Sequence, residues 1–193
     1  MSDGDSFRAR LERALAGGAE SLDRPDLVPS AVLIPIVIRG GEPRVIFTRR
    51  TMSVAHHKGQ ISFPGGAAEP GDRDAVDTAL REAGEEIGLE RALVEVAGRL
   101  EDQVTTTGFV VAPVVGLVDE RAALCRDPRE VAEVFELAWS RLIDPVALDV
   151  EMMEHRGVTF RNHRFTVGDK VVWGATGRIL ARLIEKVGQV EQP

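Results

Sequence analysis

Three glutamates, Glu82, Glu85 and Glu86, are the residues of this chain whose types and spacing most clearly suggest chemistry. They lie in residues 81–89, which read REAGEEIGL. Spacings of three and four residues bring side chains to one face of a helix, here within an arc of roughly 100°. Uncompensated carboxylates so placed repel one another by about 0.2–0.5 kcal/mol per pair. The pattern therefore indicates a face that needs a positively charged partner.

A hard divalent cation would remove this repulsion. Oxygen-only ligands suit Mg²⁺ or Mn²⁺, which keep several waters and also bind the phosphates of substrates. The alternative is a solvated acidic face, the ordinary meaning of an isolated Glu-x-x-Glu-Glu. Gly65 and Gly66 precede the acidic segment, and paired glycines allow a close approach of backbone to ligand. These surroundings favour the metal site.

Residues 81–89 match, position by position, the second half of the Nudix box, and the chain resembles the Nudix family there. The box reads Gly, five residues, Glu, seven residues, then Arg-Glu-apolar-x-Glu-Glu-x-Gly-apolar. Counting back from Arg81 reaches Arg73 where the box has Glu. One inserted residue restores the match, with Gly66, five residues, Asp72 and eight residues to Arg81. Asp72 would then stand in for the first Glu of the box.

A second resemblance, to the coenzyme A pyrophosphatase branch of this family, lies upstream of the box. That branch carries apolar-apolar-Thr-x-Arg, a small residue, three residues, Arg, three residues, Gly, three residues and Phe-Pro-Gly-Gly. Residues 46–66 read IFTRRTMSVAHHKGQISFPGG, so Arg50 matches the first Arg. Thr51 replaces the small residue and Ala55 replaces the second Arg. The likeness continues through residues 108–117, 130–137 and 171–176.

The resemblance implies an α/β Nudix fold, in which a mixed β-sheet is sandwiched between α-helices. It divides the chain into an N-terminal helix and connector, residues 1–29, and a Nudix hydrolase domain, residues 30–193. The implied activity is metal-dependent hydrolysis of the diphosphate bridge of coenzyme A or its derivatives, giving 3',5'-ADP and 4'-phosphopantetheine products. Two alternatives stay open: a pyrophosphatase acting on ADP-ribose or a dinucleotide, and a non-catalytic module that senses a nucleotide.

The resemblance also assigns roles to residues. The metal ligands would be Glu82, Glu85 and Glu86; the catalytic residues would be Arg81, Glu82 and Glu85; the substrate would contact Arg50, Gly65 and Gly66. Lys58, three residues from Ala55, could replace the charge of the missing Arg at the substrate or be a solvated loop residue. Arg81 cannot act as a base, and we expect it to orient the carboxylates through charge-assisted hydrogen bonds. The general base stays open among five acids: Glu82, Glu85, Glu130, Glu133 and Glu136.

Composition limits the other classes of function. With 44% hydrophobic and 28% charged residues the chain has an ordinary globular balance, and its formal charge of −7 argues against nucleic acid as the main partner. No apolar run is long enough for a membrane span, and the acidic start is unlike a signal peptide. The single Cys125 fits a reducing cytoplasm. A monomer and a homodimer are both compatible with the sequence.

Hydrophobic periodicity predicts the elements that must position the site. Pro35 cannot donate to a sheet ladder, so an edge position or a bulge is expected there. The acids of segment 130–137 are expected to share one strand face. Segment 103–108 is expected either to touch substrate or to form a Ser/Thr turn. Helices are expected at 6–16, 75–87, 139–143 and around 179–187, and strands at 31–38, 44–49, 60–63, 93–102, 109–118, 130–137, 158–160, 164–167 and 171–173.

Overall fold

The computed structural model describes residues 3–52, 59–155 and 157–189. Its helices are α1 (Asp3–Leu15), α2 (Ala75–Ile87), α3 (Trp139–Leu142) and α4 (Gly174–Gln189). Its strands are β1 (Val28–Arg39), β2 (Glu42–Arg50), β3 (Ile61–Ser62), β4 (Gly65–Ala67), β5 (Val94–Arg99), β6 (Gln103–Val104), β7 (Phe109–Val118), β8 (Val131–Ala138), β9 (Leu148–His155), β10 (Val158–Val167) and β11 (Lys170–Val172). Within this part of the chain, no helix is both long and apolar enough to cross a membrane.

The strands form one large mixed sheet and one small antiparallel sheet. The large sheet follows the order β3-β2-β1-β7-β5, with β4 also paired to β1, β6 to β7 and β8 to β2. Strands β1 and β7 run parallel, whereas β1 and β2 run antiparallel. The small sheet has the order β11-β10-β9. The mixed sheet confirms the predicted α/β class.

Side chains on the two faces of β1 enter two separate cores, because successive residues of a strand point to opposite faces. Ile34 and Ile36 pack in the core that contains α1 and α4. Leu33 and Val37 pack in the core that contains the apolar face of α2. Each fully buried side chain of this size contributes about 1.5–3 kcal/mol of burial free energy. The large sheet is therefore held between α2 on one face and α1 with α4 on the other.

Helix α2 has the predicted bounds, and local signals explain both ends. The side chain of Asp74 caps the N-terminus by accepting from the Asp77 amide at 2.9 Å. Gly88 ends the helix in the left-handed region, with φ of 64°, where glycine has no steric penalty. A Cβ at Gly88 would also lie 3.0 Å from the Cys125 carbonyl oxygen. The helix is thus fixed in length and position along the sheet.

The strands differ from the expected ones at three points. Strand β1 lies inside the sheet, so Pro35 is not on an edge strand, and it is in register with Gly116 of β7. On the other side of β1, the pairing with β4 ends at Val32 and the pairing with β2 begins at Ile36, so the expected interruption of the ladder does fall at Pro35. The two short strands expected at 158–160 and 164–167 are one continuous strand, β10. Strand β9 was not expected at all, although Leu148, Val150 and Met152 alternate with acidic or polar neighbours. Strand β9 pairs with β10 along its length.

Segment 103–108 forms the short strand β6 and then a turn. The hydroxyl of Thr105 accepts from the Phe109 amide at 3.0 Å, and the Thr105 amide donates to the Phe109 carbonyl at 2.9 Å. These bonds match the expected Ser/Thr turn.

Candidate active site

Helix α2 lies against the two glycines of β4. Strand β4 pairs with β1, with Gly65 opposite Val32 and Gly66 opposite Ala31. A Cβ at Gly65 would collide with the Ala31 carbonyl oxygen, and a Cβ at Gly66 would collide with the carboxylate of Glu82. Only glycine therefore permits this approach of α2 to the sheet, and the approach places the Glu82 carboxylate against the backbone of β4.

Arg81 forms the central hydrogen-bonding group on the surface of α2. Its Nε and Nη2 donate to the two carboxylate oxygens of Asp72 at 3.0 and 3.1 Å, and its Nη1 donates to Oε1 of Glu82 at 2.9 Å. Nη2 also donates to the Ala67 carbonyl at 3.0 Å. A two-point contact of guanidinium with carboxylate is strong and directional. Asp72 thus fixes Arg81, and Arg81 fixes one oxygen of Glu82.

Asp72 is itself held by several donors. It accepts from the Glu69 amide at 2.9 Å and from the Thr78 hydroxyl at 2.9 Å. Hydrogen bonding to Arg81 is the main reason that the pKa of Asp72 lies well below its usual range. In turn, Asp72 is the main reason that the pKa of Arg81 is raised. Asp72 therefore stays ionised and serves to anchor Arg81.

Glu86 is the most enclosed acid of the site, with a relative exposure of 3%. Its Oε1 lies 3.4 Å from Nη1 of Arg50, while its Oε2 is buried without a hydrogen-bond partner. Burial raises the pKa of Glu86 to about 7; Arg50 opposes the rise, and the charges of Glu82 and Glu130 add to it. Burial also raises the pKa of Glu82, against the opposing effect of Arg81. The negative charges of Glu82 and Glu86 are thus only partly compensated by Arg81 and Arg50.

Glu130, one residue before β8, belongs to the same site. Its Oε2 lies 3.9 Å from Nη2 of Arg50, and its carbonyl accepts from the Thr51 amide at 2.8 Å. Its charge contributes to the raised pKa values of Glu82 and Glu86. Arg50 therefore stands between two acids, one on α2 and one at the start of β8.

The expectation that Glu130, Glu133 and Glu136 share a strand face is wrong. Glu133 and Glu136 are three residues apart on β8, and this odd spacing turns their side chains to opposite faces. Glu133 pairs with Lys170 at 2.6 Å and Arg49 at 3.2 Å. Glu136 is held by Arg39 at 2.9 Å and Arg44 at 3.2 Å. Only Glu130 of the three is turned towards Glu82 and Glu86.

The remaining predicted site residues have different positions. Glu85 is largely solvent-exposed, with 61% of its side chain accessible, and both of its oxygens lie 3.4 Å from Nη1 of Arg81. Arg50 is 25% exposed and faces the acids. Lys58 and Ala55 lie outside the described residues. Two contributors were missed by sequence reasoning: Thr78, which its spacing of three residues from Arg81 could have revealed, and the Ala67 carbonyl, which no side-chain pattern encodes.

The acids fit a hard cation chemically, although their side chains are not gathered around one point. No group of three His, Cys, Asp or Glu residues in the described ranges is close enough to form a ready-made metal cage. The buried Oε2 of Glu86 nevertheless has no donor, and Glu82 and Glu86 carry raised pKa values from burial and from neighbouring acids. A cation that binds oxygen ligands would both supply a partner for Oε2 of Glu86 and compensate the negative charges of Glu82 and Glu86.

Comparison with known proteins identifies the family. Residues 28–160 match the family model described as the NUDIX domain. The chain is 34% identical over 158 residues to an uncharacterized Nudix hydrolase NudL of Photorhabdus laumondii, covering 82% of this chain and 84% of that protein. It is 40% identical over 164 residues to the NudL protein of Yersinia enterocolitica, covering 82% and 80%. The chain therefore belongs to the Nudix family, and it is a Nudix hydrolase acting on a pyrophosphate substrate.

Solved structures agree with the fold. A MutT/nudix family protein from Enterococcus faecalis superposes with a TM-score of 0.54 at 13% identity, covering 96% of this chain and 74% of that chain. The Nudix hydrolase RenU from M. smegmatis gives a TM-score of 0.50 at 20% identity, covering 60% and 73%. At such identities the likeness concerns the fold alone. It confirms the Nudix fold expected from the sequence.

Proposed function

We propose that this Nudix hydrolase cleaves the diphosphate bridge of coenzyme A or its derivatives into 3',5'-ADP and 4'-phosphopantetheine products. The observation that supports this most is that two residues of the segment resembling the coenzyme A branch, residues 46–66, lie at the acidic site. Arg50 lies beside Glu86, and Gly66 lies against Glu82. The residues of that segment and of the Nudix box would thus act on one substrate. We also propose residues 30–193 as the hydrolase domain, preceded by the segment 1–29.

Glu82 and Glu86 would hold Mg²⁺ or Mn²⁺, with Glu85 completing the set from the solvent side. Nudix hydrolases generally use divalent metal ions, and the bound ion would neutralise the diphosphate and lower the pKa of the attacking water. Arg81 orients Glu82 for this task through the hydrogen bond at 2.9 Å. Asp72 is a positioning residue, because it acts through Arg81.

We assign the general base to Glu130. Of the five acids, Glu133 and Glu136 are engaged in ion pairs elsewhere. Glu82 accepts from Arg81, and the exposed Glu85 has both oxygens 3.4 Å from the same guanidinium. Glu130 faces the Glu82 and Glu86 pair and has a looser contact, at 3.9 Å from Arg50. A carboxylate with free acceptor oxygens beside the reacting phosphate is what proton abstraction from water requires.

Arg50 would bind the substrate from its position between Glu86 and Glu130. A metal on Glu86 would take over charge compensation from Arg50, so that the guanidinium could turn to a phosphate oxygen. Lys58 and the backbone of Gly65 and Gly66 complete the proposed substrate contacts. Lys58 would partly replace the charge of the Arg missing at Ala55, though without its two-point fork.

ADP-ribose or a dinucleotide is the second candidate substrate, since neither needs the missing Arg. A sensor that binds without cleaving is disfavoured by the buried, under-compensated carboxylate of Glu86. A binder has no need to keep such an acid, because its ionisation opposes folding.

The test is a comparison of specificity constants with Mg²⁺ for coenzyme A, dephospho-coenzyme A, ADP-ribose and a dinucleoside polyphosphate. Products are separated by chromatography and identified by mass. We expect the largest kcat/KM for coenzyme A, with 3',5'-ADP and 4'-phosphopantetheine as products. A larger kcat/KM for ADP-ribose would overturn the proposal.

Ala55→Arg probes the substrate directly. Restoring the motif should lower KM for coenzyme A at least about threefold and leave dephospho-coenzyme A nearly unchanged, because the added fork would bind the 3'-phosphate. Ala55→Gln is the matched control, with a long uncharged side chain. Equal effects of both variants would contradict a phosphate contact.

A further inference from the structure

A large cavity lies away from the acidic site, between α3, β9, β10 and α4. Its volume is about 690 Å³. Leu142 and Phe165 in its wall belong to the core that contains α1 and α4, whereas the apolar face of α2 belongs to the other core. The cavity is therefore on the opposite face of the large sheet from α2, and its lining shares no residue with the proposed hydrolytic site.

One part of the cavity wall carries positive charge without a matching acid. Arg178 donates from Nη2 to the Val104 carbonyl at 3.1 Å and lies 5.7 Å from the centre of the Phe160 ring. Burial lowers the pKa of Arg178. Within the ranges that the structure describes, neither Arg178 nor Arg161 forms an ion pair with a carboxylate. This local charge contrasts with the formal charge of −7 on the whole chain.

The other charged residues of the wall have hydrogen-bond partners within the protein. Arg182 donates to both oxygens of Glu101 at 3.1 Å and to Glu185 at 2.8 Å. Asp144 accepts from the Val146 amide at 3.0 Å and caps its own turn. Among the described residues, the wall thus keeps two arginines without an ion pair against the single carboxylate of Asp144, so that a positive excess remains.

The rest of the wall is apolar and open to solvent. Ile143, Leu148 and Val150 are exposed by 49%, 38% and 45%, although each is a large hydrophobic residue. His163 also lines this part of the cavity. Burial is the main reason that its pKa is lowered, and its Nδ1 has no hydrogen-bond partner. Cations at one end and apolar side chains at the other are typical of a site for an amphiphilic ligand.

We propose that this cavity binds an organic anion with an apolar chain, a carboxylate or a phosphate monoester. The head group pairs with Arg178 and Arg161, and the chain lies along Leu148 and Val150. An anion would compensate the desolvated guanidinium of Arg178 with charge-assisted hydrogen bonds. Covering the exposed apolar side chains adds about 25 cal/mol per Å² of buried surface. This site is independent of the proposed substrate of the hydrolytic site.

Calorimetric titration of the full chain in excess chelator tests the proposal. The probes are octanoate and octyl phosphate, with inorganic phosphate as a head group alone and octanol as a neutral chain. We expect saturable one-site binding of at least one amphiphile, and at least tenfold weaker binding of phosphate and of octanol. A stronger response to octanoate or to octyl phosphate distinguishes a carboxylate from a phosphate ligand. No saturable binding of either amphiphile, or equal binding of phosphate alone, would overturn the proposal.

Variants locate the bound probe. Arg178→Gln should weaken binding at least tenfold, Arg178→Lys should weaken it less, and Val150→Glu should weaken it at least tenfold by repelling the ligand. Arg121→Gln is the control, because Arg121 is a surface residue paired with Asp119 and should leave affinity unchanged. Only variants whose melting temperature equals that of the wild type are compared. Arg178→Gln and Val150→Glu proteins that both melt normally and bind like wild type would place the probe elsewhere and refute the site.

Discussion

Glu86→Gln should stabilise the metal-free protein at alkaline pH while it removes a proposed metal ligand. The fold raises the pKa of Glu86 from 4.5 to about 7, mainly through burial. At about 1.4 kcal/mol per pKa unit, the ionised carboxylate costs the metal-free fold about 3 kcal/mol above pH 7. The variant also loses the contact with Arg50 at 3.4 Å. We therefore expect a net gain of about 1–3 kcal/mol.

The sign of this effect depends on pH. Because the pKa is higher in the folded than in the unfolded state, wild-type stability from this group is fully present below about pH 4.5 and is lost as pH rises to about 7. The two proteins should thus have nearly equal stability near pH 4.5, and the variant should be more stable at pH 8.

Urea unfolding in excess chelator at pH 4.5 and pH 8 measures the difference. Glu85→Gln is the matched control, since its side chain is 61% exposed and should change stability by under about 0.5 kcal/mol at either pH. A Glu86→Gln protein that is no more stable than wild type at pH 8, or a difference that does not vary with pH, would refute the reasoning.

Three further predictions concern the same site. In a turnover assay, hydrolysis should be absent in excess chelator and return with Mg²⁺ or Mn²⁺ but not with K⁺. Turnover in excess chelator would contradict a metal-dependent mechanism. Gly66→Ala should lower Mn²⁺ affinity at least about tenfold in a titration because its Cβ would displace Glu82, while Gly71→Ala, in open space, should have no effect. Arg81→Lys and Asp72→Asn should each lower kcat at least about tenfold. Because the two residues form one contact, the double variant should lose no more activity than either single variant. Additive losses in the double variant would show that the two residues act independently.

The sequence predicted α2 well because its signals are local. Asp74, Gly88 and the apolar positions of α2 act within one or two turns, so their effect does not depend on distant strands. The interior position of Pro35 depends on β7, more than seventy residues away along the chain, and no local pattern reveals it. Strand β9 carries an alternating signal at Leu148, Val150 and Met152, but it was assigned no element, and the acidic residues between them are of types depleted in strands.

The site residues, too, were predicted where local signals were sufficient and missed where the contact depends on distant parts of the chain. The Arg81 and Glu82 contact was expected, because a guanidinium in the acidic segment was predicted to orient the carboxylates through charge-assisted hydrogen bonds. That Arg50 faces Glu86 depends on the pairing of β2 with β8 and on the position of α2. The raised pKa of Glu86 could not be predicted, because burial comes from packing that spacing does not encode. Tertiary structure thus distinguishes acids that look equivalent in the sequence.

Mn²⁺ binding, followed by electron paramagnetic resonance, tests most directly whether Glu82 and Glu86 form the metal site of this hydrolase. We predict one strong site in wild type, at least about thirtyfold weaker binding in both Glu82→Gln and Glu86→Gln, and less than about fivefold weakening in Glu85→Gln. Hydrolysis rates at equal metal occupancy should follow the same order. Unchanged Mn²⁺ affinity in Glu86→Gln, with a normal unfolding transition, would contradict the account.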